Sequence, residues 1–400
     1  MTLICLLKLV FPFRGYKVSV SRIGSTLEMR LKTRRRCGIC PNCGRRCCHI
    51  KALRKRRIRD LDVCGLSCYL TFEHKQLRCS CGFQGFEELE FVSKSHRVTK
   101  RMETFVISLC EMMSLKDVAL ITRLDWKTVR NIDHCHLKTL LPALEQIQMK
   151  RIAIDEIAVM KGHKYLTIIR DYDTGVAMKI CFGRTFEATY DALSSLGEER
   201  LKEVEYASLD MWDPYIKAIG QLCPNAKLVF DKFHVVKKIN EALDNVRKKE
   251  FAAAEPIERK YMKKKRFIIL KREKNLDLSQ RENLAELMEN NERLCKAYIL
   301  KEQILSIFED TASTFEHIKE RLLRWFENVL SNGLEEFHPV IYTMQNYLYG
   351  ILNYFRYGMT NAIAEGFNTK INILKRRAFG YKDMEYFMLK IYQNSLKRLS

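Results

Sequence analysis

The hydrophobic pattern changes character three times along the chain. Between residues 31 and 92 short apolar stretches alternate with polar and glycine positions, as strands joined by tight turns do, and Tyr69 to Leu77 alternates as a hairpin strand. From Thr99 to about Pro142 the apolar positions return at helical spacing. Ser114 with Asp117 three positions on is a capping-box-like helix start. After a short turn, Asp125-Trp126-Lys127-Thr128-Val129-Arg130 opens a second short helix. This is the cadence of a helix-turn-helix whose second helix offers Lys127, Thr128 and Arg130 to a major groove.

Residues 151 to 231 are strand-rich, with apolar runs at 151–155, 165–169, 176–182, 204–209 and 227–230. The first three follow one another closely and suit antiparallel neighbours. The last two alternate with helical stretches near 187–203 and 213–223, the rhythm of parallel strands. The expectation is an α/β fold with a mixed five-stranded sheet. Beyond His234 the pattern is helical through Phe355, broken by proline only at Pro256 and Pro339 and carrying a basic run from Lys260 to Lys274. Gly358 stops it, and Thr360 and Asn361 cap a last helix from about Ala362 to Arg376.

Charge narrows the partner. The 400 residues carry a formal +22, and hydrophobic residues at 47% exclude a chain that is mainly disordered. Residues 1 to 101 hold 23 Lys/Arg against 7 Asp/Glu, a surplus of 16, which points to a polyanion such as DNA. An anionic membrane would need an anchor. The apolar run Leu3 to Phe13 is too short to span a bilayer and lacks the basic start and small-residue cleavage site of a signal peptide, so it reads as a first strand.

Nine of the 15 cysteines fall between Cys37 and Cys81, a clustering that in a long basic chain marks zinc. Cys40-Pro-Asn-Cys43-Gly44 and Cys79-Ser-Cys81-Gly82 read as two knuckles of one zinc ribbon holding a single structural Zn²⁺ through Cys40, Cys43, Cys79 and Cys81. Cys37, Cys47, Cys48 and His49 are close enough in sequence to leave the ligand set open. Cys64 and Cys68 read as buried thiols without a metal.

Asp155, Asp210 and Asp231 each follow an apolar run, at what would be the C-terminal ends of strands, where sites assemble in open α/β sheets. Residues 151 to 232 hold 13 Asp/Glu against 11 Lys/Arg, an excess of two negative charges within a basic chain. Converging carboxylates repel unless hard cations lie between them, which points to Mg²⁺ and phosphodiester chemistry. Each aspartate alone also reads as the N-cap of the following helix. Trp325 reads as a core residue.

These pieces, with Ala153-Ile-Asp155-Glu156, Ser208-Leu-Asp210-Met-Trp212-Asp-Pro214-Tyr215, Asp231-Lys-Phe-His234 and Thr360-Asn-Ala362-Ile-Ala-Glu365-Gly366-Phe-Asn368, resemble the ISL3 family of DDE transposases over about residues 30 to 395. The resemblance implies an RNase H-like core in which Asp155, Asp210 and Glu365 hold two Mg²⁺ (or Mn²⁺) ions, with Asp231 and His234 at its edge. From pattern alone Glu365 would be a surface residue of an amphipathic helix, and Lys370 and Arg376 on that helix are candidates for phosphate contact. The implied division is an N-terminal extension to residue 30, with an alternative start at Met29, a ribbon at 31–95, a helix-turn-helix at 96–148, core strands at 149–239, a helical insertion at 240–357, and a closing segment at 358–400. The implied activity is binding of terminal inverted repeats, then metal-dependent cleavage and strand transfer by a homodimer or larger assembly on DNA. It would act in the bacterial cytoplasm, at the nucleoid, with no membrane and no small-molecule substrate. The alternatives are a zinc-containing DNA-binding regulator with an inactive core, and a nuclease without strand transfer.

Overall fold

The computed structural model describes residue 13 and residues 15–160, 164–310, 312–359, 362–378 and 380–397, with the side chains at 143, 146, 160, 261 and 362–365 outside the description. The strand expected at Leu3 to Phe13, except Phe13 itself, and the cap at Thr360 and Asn361 therefore lie outside the described residues. Contacts divide the chain into two units, residues up to 141 with 373–390, and residues 142–372 with 391 onward.

In the first unit, β1 (Tyr16–Ile23), β2 (Thr26–Thr33), β5 (Ile50–Val63), β6 (Leu66–Arg78) and β7 (Gln84–Phe86) form one sheet, in the order β1-β2-β6-β5 with β7 also on β6. β3 (Gly38–Ile39) and β4 (Arg46–Cys47) make a separate small hairpin. Met29, the alternative start, lies within β2 with its side chain buried beside Leu31, Ile58, Leu70 and Phe72. β5 and β6 are far longer than the short strands the pattern suggests, because Lys and Arg occupy the exposed positions of β5 and mask its period. Their two-residue turn is Cys64-Gly65, both at positive φ as a type I′ hairpin turn requires. Cys64 is consequently exposed rather than buried, whereas Cys68 is buried as expected.

Three helices follow in this unit: α1 (Lys100–Met112), α2 (Leu115–Thr122) and α3 (Trp126–Leu140). Thr99, Ser114 and Asp125 cap them through side-chain oxygens that accept from Met102, Asp117 and Lys127 amides. Val98, Met102, Val106, Val118, Val129 and Ile132 form their shared core. At 15 residues, α3 is longer than the short helix the sequence suggested. Buried Asp60 of β5 accepts hydrogen bonds from Thr99 Oγ1 and Arg101 Nε, both at 2.7 Å, fastening the sheet to α1.

The second unit is built on a mixed five-stranded sheet in the order β10-β9-β8-β11-β12. β8 (Arg151–Met160), β9 (Lys164–Asp171) and β10 (Ala177–Phe182) are antiparallel neighbours, while β11 (Tyr206–Leu209) runs parallel to β8 and β12 (Lys227–Phe230) parallel to β11. This is the sheet expected. Helices α4 (Phe186–Ser194), α5 (Glu198–Lys202) and α6 (Asp213–Leu222) make the connections, and Tyr215, Ala218 and Ile219 of α6 are buried.

From Lys232 the unit is helical: α7 (Lys232–Ala253), α8 (Pro256–Met262), α9 (Arg266–Leu270), α10 (Leu278–Glu289), α11 (Glu292–Glu309), α12 (Phe315–Ser331), α13 (His338–Asn346) and α14 (Leu348–Tyr357). Trp325 is core as expected, 2% exposed with its Nε1 donating to the Leu300 carbonyl. Two further helices, α15 (Ala362–Arg377) and α16 (Met384–Leu396), close the chain.

Candidate functional site

Strand register brings the aspartates to one level. Ala153 of β8 pairs with Ser208 of β11, and Ser208 pairs with Val229 of β12. Two residues further on in each strand direction stand Asp155, Asp210 and Asp231. Asp210 and Asp231 follow their strands directly, as expected. Asp155 does not end its strand: β8 continues to Met160 in an antiparallel ladder with β9, and Asp155 lies just past the end of its parallel pairing with β11. The apolar alternation of Ile157 and Val159, both buried, carries the strand onward.

The surroundings of each carboxylate differ. Asp155 Oδ1 accepts the Glu156 amide at 2.7 Å and Oδ2 accepts from Asn368 Nδ2. Burial raises the Asp155 carboxyl above its ordinary range, Arg170 opposes this, and the Asp210 charge adds to it. Asp210 Oδ1 is buried and is paired with the His234 Nε2. Burial pulls the His234 imidazole down, but Asp210, followed by the charges of Asp231 and Asp155, raises it on balance. Asp231 is the N-cap of α7, accepting the Phe233 amide at 3.1 Å, so its N-cap reading holds.

Two carboxylates at one level of adjacent parallel strands, both hard oxygen donors, suit a divalent cation of the Mg²⁺ class. A cation would also offset the burial and mutual repulsion that favour protonation of Asp155. The Glu365 side chain lies outside the described residues. Its backbone is in the first turn of α15, three positions before Asn368, which contacts Asp155. Lys370 and Arg376 are exposed on α15. A neighbour that the sequence did not single out is Arg184, which pairs with Glu156 at 3.2 Å and lies over the rings of Tyr165 and Trp212. Its signal in the sequence was only the presence of Glu156 beside Asp155.

The cysteines form the most compact candidate metal centre. Each knuckle closes on a glycine at positive φ, Gly44 donating to the Cys40 carbonyl and Gly82 to that of Cys79. The sulfurs of Cys40, Cys43, Cys79 and Cys81 all lie within 4.8 Å of one another, with Cys40–Cys81 at 3.6 Å and Cys43–Cys79 at 3.7 Å. A tetrahedral zinc with bonds of about 2.3 Å places its sulfurs roughly 3.8 Å apart, so the four fit one ion. Hydrogen bonds from the Phe83 amide and the Asn42 side chain draw the Cys81 thiol down to about 6. The other nearby cysteines are otherwise engaged: Cys37 and Cys48 form a disulfide, and Cys47 contacts the Arg78 and His49 carbonyls.

Comparison with known proteins gives the same order of parts. Residues 36–81 match the zinc-finger of transposases IS204/IS1001/IS1096/IS1165, residues 87–136 the helix-turn-helix domain of transposase family ISL3, and residues 152–391 the ISL3 transposase domain. The transposase for insertion sequence element IS1001 of Bordetella parapertussis is 30% identical over 373 residues, 92% of this chain and 91% of that protein. The chain belongs to the ISL3 family of transposases. A second relative, the transposase for IS1557 of Mycobacterium tuberculosis, is 25% identical over 387 residues, 90% of this chain and 86% of its own.

In this ISL3 transposase the helix-turn-helix is α2 and α3, with Arg123 at positive φ ending α2. Lys127 is exposed and Thr128 half-buried on the first turn of α3. Arg130 is held differently from the expectation of a residue reaching outward: it pairs with Asp383 and lies over the Tyr386 ring. β5, at the edge of its sheet, presents Lys51, Arg54, Lys55 and Arg57 as exposed residues. Among the described residues no helix is long and apolar enough to cross a membrane.

Proposed function

We propose that this transposase binds the terminal inverted repeats of its own mobile element through the ribbon and helix-turn-helix, and cleaves and joins DNA at a centre formed by Asp155, Asp210 and Glu365 on an RNase H-like core. The single observation that carries the reading is the common level of Asp155 and Asp210 on adjacent parallel strands. The segment 240–357 is read as an insertion between the core strands and the helix bearing Glu365. The ribbon at 31–95 is extended by the preceding hairpin, and 96–148, 149–239 and 358–400 are kept as the helix-turn-helix, core strands and closing segment.

Water attacks the phosphorus at an element end, and the bond from phosphorus to the 3′ oxygen breaks, leaving a 3′-OH on the element and a 5′-phosphate on the flank. That 3′-OH then attacks a target phosphodiester, whose own 3′ oxygen leaves. Two bound Mg²⁺ or Mn²⁺ ions would supply charge neutralisation at the attacked phosphate and activation of the attacking oxygen. The chain's part is to hold three carboxylates against that charge, with His234 orienting Asp210 and Asp231 fixing the start of α7. Pairing of two element ends calls for a dimer or larger assembly on DNA, in the cytoplasm where bacterial DNA lies. Lys127 and Thr128 are read as base or phosphate contacts, with Lys370 and Arg376 as phosphate contacts.

The test is cleavage and joining of labelled inverted-repeat DNA by the full chain. Asp155→Asn should lose end cleavage by more than about a hundredfold and keep repeat binding. Full cleavage by that variant would overturn the assignment. Binding without metal-dependent nicking by the parent chain would favour the regulator, and cut ends without joined products the nuclease.

A further inference from the structure

Arg170 is 1% exposed, a guanidinium sealed inside the second unit. It lies 4.6 Å over the ring of Phe367, and its Nη2 donates to Asn368 Oδ1 at 2.8 Å. Asn368 in turn donates its Nδ2 to Asp155 Oδ2. The direction of this chain is forced. Arginine carries donors only, so it fixes the amide oxygen of Asn368 toward itself and turns the NH₂ toward the carboxylate. An asparagine in this position without the arginine could rotate by half a turn and set its carbonyl against Asp155, which would repel it. β9, which carries Arg170, pairs with β8 so that Arg170 stands opposite Ala153, two residues before Asp155. The clamp therefore joins the central strand, its neighbour and α15.

We propose that Arg170 and Asn368 are a positioning pair for the metal centre: together they set the orientation of the Asp155 carboxylate and the rotation of α15 about its axis. The proposal rests on the reading of Asp155 as a carboxylate that holds Mg²⁺. One oxygen of Asp155 is fixed by its neighbour's backbone amide, which would persist in any folded variant, while the other, among the described residues, accepts from Asn368. Residues at 365 and 368 share a helix face, so the bond at 368 also sets which way that face of α15 turns. Outer groups that orient ligating carboxylates typically govern affinity by about 10- to 100-fold when removed.

The experiment is calorimetric titration of the full chain with Mn²⁺, for the parent, Asn368→Ala, Arg170→Gln and the double variant, with inverted-repeat binding and thermal melting measured alongside. Asn368→Ala should melt somewhat below the parent, since Arg170 and Asp155 each lose a hydrogen-bond partner, but fold and bind the repeats normally, yet need about tenfold or more Mn²⁺ for half-saturation. Its cleavage should recover at high Mn²⁺, as a purely structural defect would not. The double variant should be no weaker in Mn²⁺ than the weaker single variant, because both act through one chain of bonds. Parent-like Mn²⁺ affinity in Asn368→Ala overturns the inference, as does fully additive weakening in the double variant. Asp155→Asn, run in parallel, separates the two claims. If it binds Mn²⁺ like the parent, the reading of the centre fails; if it loses the metal while Asn368→Ala keeps it, only the positioning pair fails.

Discussion

Gly350 of α14 sets its bare Cα directly against the ring of Phe230, the last residue of β12. A Cβ at 350 would overlap Cδ2 and Cε2 of that ring and come within 3.1 Å of Cγ. Phe230 is 1% exposed and also meets the rings of Tyr347 and Tyr349, so it has nowhere to retreat. Gly350→Ala should therefore destabilise the chain by about 2 kcal/mol, overpacking outweighing the roughly 1 kcal/mol that alanine gains in a helix. Urea unfolding checks this, and a variant as stable as the parent would show that the contact is loose.

Asp231 and Asp210 separate into different roles under substitution. Asp231→Ala removes the cap of α7 and should cost about 1 kcal/mol of stability, whereas Asp231→Asn keeps a capping oxygen and should cost little. Asp210→Asn should lose cleavage with little change in melting. The outcome that would reverse the assignment is an active Asp210→Asn beside a folded but inactive Asp231→Asn.

The sequence carried the five strands of the sheet and its antiparallel and parallel parts, though not the strand order, because its apolar runs are short, bounded by polar residues, and spaced as hairpins or as crossovers. It also carried Asp155 and Asp210, since a carboxylate after an apolar run stands out. Three things were not legible. β5 hides its strand period under Lys51, Arg54, Lys55 and Arg57, which look like a solvated charge run. The engagement of Arg130 with Asp383 joins positions 253 residues apart and leaves no local signal. Asn368 was visible as part of a motif, but its partner Arg170 reads as an ordinary end of an apolar strand.

Zinc removal should act locally. Replacing Cys40 and Cys43 by Ser should take the metal content from one zinc per chain to none, because two thiolates of the four-sulfur set cannot hold the ion in tetrahedral geometry. The same replacement at Cys37 and Cys48, which are joined to each other, should leave one zinc bound. Mass spectrometry under native conditions distinguishes the two, and zinc lost from the Cys37/Cys48 variant would move the ligand set.

The basic edge of β5 should be felt as salt dependence. Lys51 and Lys55 are both exposed on this edge strand. If each meets a phosphate, replacing both by Ala should flatten the slope of log affinity against log salt by about 1.8, whatever the DNA sequence. An unchanged slope would remove β5 from the DNA surface and leave its lysines as guards of an open sheet edge.

The last prediction concerns the buried pair that joins α3 to the closing helix within the first unit. Lys390 is 3% exposed and Asp133 fully buried; the Lys390 Nζ meets Asp133 Oδ2 at 3.1 Å and the Cys110 carbonyl at 2.9 Å, while the Tyr386 hydroxyl donates to the same Asp133 oxygen. Leu137, Tyr386 and Leu389 pack around them. Replacing Lys390 by Met leaves a buried carboxylate with one hydroxyl partner, which should cost about 3–5 kcal/mol. Replacing both, Lys390→Met with Asp133→Leu, removes the stranded charge and should recover part of that loss, short of full recovery because Tyr386 and the Cys110 carbonyl lose their partner. A double-mutant cycle by urea unfolding should thus show coupling of about 2 kcal/mol or more. Additive losses would mean that Asp133 is held by Tyr386 alone and that the lysine contributes only its packing.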